Sequence, residues 1–171
     1  MVDLAVLQSV SYVAGAVGVL LAAINYILST RNADKARQAT LFMGIYEAYY
    51  SNDFRDSDYA LFNIEMKNMD DWNRLVKDRE MWNAFVQENL YLTGIGVLVR
   101  QNLIDIHLVT LLLSESVFWY WEKYRDGIME CRKGADYPRP GVEVEYLYNR
   151  ISDYAREHPQ LRVTAPKVSL N

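Results

Sequence analysis

The residues whose chemistry could support catalysis or metal binding are few and scattered. The chain holds two histidines and one cysteine in 171 residues. His107 follows Asp105 by two positions, on the first turn of an expected helix, with no second His, Cys or paired carboxylate at i+3 or i+4. It reads as a histidine beside a helix cap. His158 precedes Pro159, and stopping a helix accounts for that pair. Cys131 stands next to Arg132 and Lys133, a setting that could lower its pKa, but with no partner residue near it in sequence it reads as an ordinary cysteine. Glu80, Glu88, Glu115 and Glu122 could face one another across two helices. Carboxylate-bridged metal sites in helical bundles use Glu-x-x-His motifs, however, and the chain has none, so these acids read as surface or core-edge groups. Ser114 and Ser116 lack the glycines of a nucleophile elbow, and no glycine-rich loop could cradle a phosphate. The expectation is a protein that is not an enzyme, with no catalytic residues, no cofactor and no metal.

Charge and cysteine content narrow the class further. Lys and Arg number 18 against 22 Asp and Glu, a formal net charge of −4, which argues against a general binder of nucleic acid. A single cysteine excludes an internal disulfide framework and a thiolate zinc cluster.

What the sequence does display is an apolar element. From Leu4 to Leu28 there is no charged residue, a stretch long enough as a helix to cross a bilayer core. Tyr12 and Tyr26 sit near its ends as amphipathic residues. Before it stands Asp3 with no Lys or Arg, whereas Arg31, Lys35 and Arg37 follow closely. A signal peptide has the opposite flank, a shorter apolar stretch and a cleavage site, so an uncleaved anchor fits better than a removable leader. The positive-inside rule then places the N-terminus outside and the rest of the chain in the cytoplasm, with Arg31, Lys35 and Arg37 as cytoplasmic-side anchors. The other possibility is a buried core helix of a soluble protein.

This span has two different faces. Gln8, Ser11, Gly15, Gly18, Ala22 and Asn25 alternate steps of three and four and so share one stripe. Val6, Val10, Val13, Val17, Leu20, Leu21, Ile24 and Leu28 occupy the other side. Helices in lipid associate through close backbone approach and polar bonds, so the small and polar stripe is the expected packing face. Ala14, Gly18 and Ala22 offer an alternative right-handed crossing.

Helical periodicity then runs on. No Gly or Pro interrupts Val19 to Met43, which predicts one helix from the anchor to about Tyr50. Ser51 to Asp53 form a turn or cap, followed by helices over about Phe54 to Lys67, one capped by Asp70 or Asp71, and about Glu80 to Leu103. In the last of these, Gly94 and Gly96 mark close helix contact or a kink. Asp105 caps a helix to about Arg132, Lys133 to Gly141 is the longest loop, and a final helix covers Val142 to Glu157 before a loose tail. The aromatic group Trp119, Tyr120, Trp121 and Tyr124 divides between core and a possible interface. The predicted fold is all-α: an anchor over 1–30, a helical bundle over 31–157 and a tail over 158–171.

Three blocks carry a resemblance: Arg37-Gln38-Ala39-Thr40-Leu41-Phe42-Met43, Gly94-Ile95-Gly96-Val97-Leu98-Val99-Arg100 and Trp119-Tyr120-Trp121-Glu122-Lys123-Tyr124. In this order behind an N-terminal span, they resemble the prokaryotic single-span membrane proteins of the family called domain of unknown function 4760. The resemblance covers most of residues 4 to 157. It implies a membrane-anchored helical protein and brings no activity or site residues. The expected function is that of an accessory or scaffold subunit of a membrane complex. Its partners would be the lipid bilayer and either other membrane subunits or further copies of itself, with no nucleic acid. The alternative is a membrane-anchored signalling or adaptor protein whose bundle binds a cytosolic partner.

Overall fold

A computed structural model describes the backbone of residues 4–62, 64, 66–134 and 138–161, and the side chains of these residues other than 4–7, 9, 10 and 134. Among the described residues every regular element is helical: α1 (Leu4–Tyr49), α2 (Asn52–Leu61), α3 (Met69–Lys77), α4 (Arg79–Arg100), α5 (Ile106–Gly134) and α6 (Val142–Glu157). A short 3-10 turn, Pro159–Leu161, follows α6. The all-α expectation holds. The chain divides into two compact units, Met1–Leu41 and Phe42–Asn171.

In the first unit α1 runs without a break, as the lack of Gly and Pro after Val19 predicts. Every side chain from Ser11 to Arg37 is exposed. Polar side chains bond along the helix itself: Gln8 Nε2 donates to Tyr12 Oη at 3.2 Å and Thr30 Oγ1 to the Tyr26 carbonyl at 2.9 Å. Such back-bonding satisfies hydroxyls without water. The helix is long and apolar enough to cross a membrane, and none of its most apolar window is buried.

The second unit is a bundle in which α2 packs on α4, α4 and α5 both pack on α6, and α3 bridges α4 and α5. Its core combines aliphatic residues of α6 (Val144, Leu147, Ile151) with Leu92 and Ile95 of α4 and Val109, Val117 and Ile128 of α5. Large rings join α4 to α5. Phe85 stacks on Tyr120 at 6.0 Å and meets Tyr124 edge-on at 5.5 Å. Such pairs add to the burial of apolar area.

Caps explain where the helices start. Ser51 Oγ accepts from the Phe54 N–H, and Asp105 Oδ1 from the His107 N–H, both as expected. Two boundaries differ from the sequence reading. First, α2 ends at Leu61 rather than near Lys67. The Leu61 carbonyl closes a tighter turn with the Ile64 N–H at 3.1 Å and also accepts from Lys123 Nζ and Tyr124 Oη of α5, and the Phe62 carbonyl accepts from Lys123 Nζ. Second, Asn68, not Asp70 or Asp71, caps α3. Asn68 Oδ1 accepts from the N–H groups of both aspartates at 2.9 and 3.0 Å. Asp71 turns back to accept from the Lys67 N–H at 3.0 Å, which holds its carboxyl below the usual carboxylate range. Helix α6 begins behind Gly141, whose φ of 67° lies in the left-handed region. A Cβ there would also stand 3.1 Å from Ile128 Cγ2, so a side chain would be strained by the backbone and crowded by Ile128. The expected tail beyond Leu161 lies outside the described residues.

Candidate functional site

Among the described residues, one carboxyl group lies in the core without an ion pair. Glu88 of α4 is 3% exposed, and its Oε2 has no hydrogen-bond partner. It occupies the apolar stripe of its own helix, one turn from Phe85 and one from Leu92. Loss of hydration, reinforced by the negative charge of Asp58 on α2, pushes its pKa up to about 8, against the opposing pull of Lys123. Asp58 is raised for the same first reason, and Lys123 pulls it down. Lys123 is committed elsewhere as well, donating to the Leu61 carbonyl at 2.7 Å and lying 4.5 Å over the Trp119 ring. Tyr120 and Tyr124 close the acid off from α5. Their hydroxyls donate to Asn89 Oδ1 and the Leu61 carbonyl, each at 3.1 Å, and burial raises both phenols. Near neutral pH Glu88 therefore keeps its proton inside the bundle.

The end of α1 docks beside this acid. Tyr49 Oη and Ser116 Oγ of α5 are 2.6 Å apart, and Tyr91 Oη of α4 donates to the Ile45 carbonyl at 3.0 Å. The Tyr49 ring stacks on Tyr91 at 6.0 Å and tilts against Phe54 at 5.2 Å. Two hydrogen bonds and three rings thus attach the last turns of α1 to α2, α4 and α5. Sequence reading misses both features. A signal for the acid exists: Phe85, Glu88, Leu92 and Ile95 share one helical stripe, and a Glu in an apolar stripe is a buried-acid pattern.

The other candidate residues separate. Glu80, Glu115 and Glu122 are exposed, and Glu122 accepts from Tyr148 Oη, so the four glutamates do not converge. Cys131 shows none of the lowering that its basic neighbours could exert. It is buried, and that burial pushes its thiol up, whereas the neighbouring Arg132 turns away to the Pro140 carbonyl and Glu145. Both histidines meet at Tyr154. His107 Nδ1 lies 3.1 Å from Tyr154 Oη, and the His158 ring stacks on Tyr154 at 4.1 Å. Among the described residues no group of three or more His, Cys, Asp or Glu could hold a metal ion. Tyr120, Trp121 and Tyr124 are core residues, which removes them from any surface of this chain; of the aromatic group only Trp119 stays half-exposed, stacked on Phe62. An open hollow of about 620 Å³ runs along α2 beside Asn52, Arg55, Asp56, Asp58, Tyr59 and Phe62. It holds no nucleophile–base pair.

Comparison with family models, curated proteins and solved structures finds no match.

The remaining candidates lie on α1. Gln8, Ser11, Gly15, Gly18, Ala22 and Asn25 are all exposed, as are Arg31, Lys35 and Arg37. A Cβ placed on Gly15 or Gly18 would meet nothing within 4 Å. The described chain therefore offers this stripe no cover of its own. It can pack against a second helix, and the Val and Leu residues opposite can face lipid.

Proposed function

We propose that this chain is a single-pass membrane protein, N-terminus outside and helical bundle cytoplasmic, that serves as an accessory or scaffold subunit of a membrane complex. One observation carries the reading: an uncharged helix from Leu4 to Leu28, described as exposed from Ser11 onward and followed by Arg31, Lys35 and Arg37. Exposed apolar area costs about 25 cal/mol per Å² in water, so a helix of this length without cover calls for lipid or a partner. The resemblance to the single-span family points the same way. Trypsin applied to sealed vesicles tests the orientation: the bundle should be cut in inverted vesicles and protected in right-side-out ones. The reverse pattern, or release of the protein from membranes by alkaline carbonate, would refute the reading.

Subunit contact would run through the Gln8–Asn25 stripe. Gly15→Leu and Gly18→Leu should each weaken association in detergent or in membranes by roughly tenfold. Val17→Leu, on the opposite face, should change it little. Because no described atom lies within 4 Å of a Cβ on Gly15 or Gly18, the loss should appear in association and not in folding. Equal effects on both faces would remove this interface. Native mass spectrometry in mild detergent then separates the two forms of the proposal. A foreign subunit makes the protein an accessory, a homo-oligomer makes it a scaffold, and a monomer under all conditions contradicts both.

A second reading, a membrane-anchored signalling adaptor, draws on the unbroken course of α1 to Tyr49 and the bonds that hold its end. Proline insertion near Ala33 should then abolish coupling while membrane localisation persists. A chain that still supports its complex after that insertion is a passive subunit.

A further inference from the structure

We propose that the protonation state of Glu88 decides whether the last turns of α1, Ile45 to Tyr49, stay docked on the bundle. The argument begins with the orphaned oxygen. An unpartnered carboxyl oxygen in the core is tolerable when the group is neutral and costly when it is charged. The groups around Glu88 offer the anion little. Asp58 faces it from α2, Tyr120 and Tyr124 from α5, and Tyr49 of α1 lies within its electrostatic reach, while its own helix adds Tyr91. Lys123 is the one cation among them, and its ammonium is already held by two carbonyls. Ionisation must therefore bring water to the carboxylate. The least costly route is the element with the least buried attachment. Helix α2 buries Phe54 and Leu61, and α5 supplies the core, whereas Phe42, Ile45 and Tyr49 at the end of α1 are only half-buried. Their attachment is the Tyr49–Ser116 pair, the Tyr91–Ile45 bond and the ring stacking. Releasing that segment opens the Tyr91 side of α4, one turn from Glu88. The acid thereby acts as a proton-dependent latch on the end of the helix. The inference concerns the bundle alone, so it and the membrane assignment stand or fall by different experiments.

Hydrogen exchange of the full chain in detergent micelles, corrected for the intrinsic pH dependence of amide exchange, tests it. In the docked state the acid holds its proton more tightly than in the open state. Docking is therefore strongest at low pH and weakens as pH rises towards about 8, then levels off. The peptide over residues 42–50 should show less protection than α6 at every pH. Its protection should fall by up to about tenfold per pH unit between pH 5 and 8. In Glu88→Gln it should be flat with pH. Ser116→Ala removes the hydroxyl that meets Tyr49 without touching the acid, and should lower protection of the segment by roughly fivefold while α6 keeps its own. A segment whose protection is independent of pH in the parent chain, or equal to that of α6 throughout, overturns the latch. So does a pH response that survives unchanged in Glu88→Gln, or a segment indifferent to Ser116→Ala.

Discussion

Glu88→Gln should raise the stability of the bundle by roughly 4 kcal/mol at pH 9 and leave it within about 1 kcal/mol of the parent chain at pH 5. The sign follows from where the proton is held. In the fold the carboxyl titrates at about 8, and in the unfolded chain near its ordinary value of 4.5. The folded state therefore binds the proton more tightly. Stability is full below the unfolded value, drains as pH climbs through the interval, and stays low above the folded value. Glutamine keeps the shape of the neutral acid and has nothing to titrate, so its curve should lack this decline. Denaturant unfolding followed by far-UV circular dichroism, repeated from pH 5 to 9, gives the comparison. Parallel curves for the two chains would show that Glu88 does not hold its proton in the fold. A diverging pair of curves in which residues 42–50 never open separately would leave the buried acid in place and dismiss the latch.

Why this acid escapes a reading of the sequence while α6 does not is a matter of which forces are local. Helix α6 is bounded by Gly141 and by His158-Pro159, and its apolar residues recur at helical spacing, so Val142–Glu157 is legible from the chain alone. The caps at Ser51 and Asp105 are local in the same sense. The end of α2 is not. There the Leu61 and Phe62 carbonyls meet Lys123 and Tyr124, far along the chain, while Leu61 closes only a tighter turn with Ile64. Asp70 and Asp71 look like caps for α3, yet Asn68 sits earlier and reaches both N–H groups, and the choice between them rests on backbone geometry. The burial of Glu88 requires knowing that α2 and α5 close over its stripe. Tyr120, Trp121 and Tyr124 likewise read as core or interface until the packing of α5 decides for core. On α1 the situation is reversed. Composition alone marks Leu4 to Leu28 as an element in need of cover, and among the described residues none covers its side chains from Ser11 to Leu28.

Two glycines two residues apart, on different sides of one helix, should respond to alanine in opposite directions. Gly94 and Gly96 both lie inside α4, where a glycine costs about 1 kcal/mol relative to alanine. Gly94 is exposed, and a Cβ there meets nothing within 4 Å, so Gly94→Ala should stabilise by up to about 1 kcal/mol. Gly96 is buried against the first turn of α6. A Cβ there would collide with the Glu143 carbonyl oxygen and stand 3.0 Å from its carbon, both backbone atoms that cannot rotate away. Gly96→Ala must therefore push α6 off α4. The same seam holds the Arg100–Glu143 ion pair at 2.8 Å and the Arg100 guanidinium 3.8 Å over Tyr146, so the displacement is felt by more than one contact. Overpacking of this kind costs about 1–3 kcal/mol, which outweighs the gain in helix propensity. The expected result is a net loss of about 2 kcal/mol for Gly96→Ala, read from the same denaturation curves. No kink is needed to account for the pair, since α4 runs unbroken through both positions. If both substitutions stabilise equally, the α4–α6 seam is looser than this packing requires. If both destabilise equally, Gly94 is covered by a surface that lies outside this chain, and the face it shares with Leu90 and Val97 becomes the place to look for a partner.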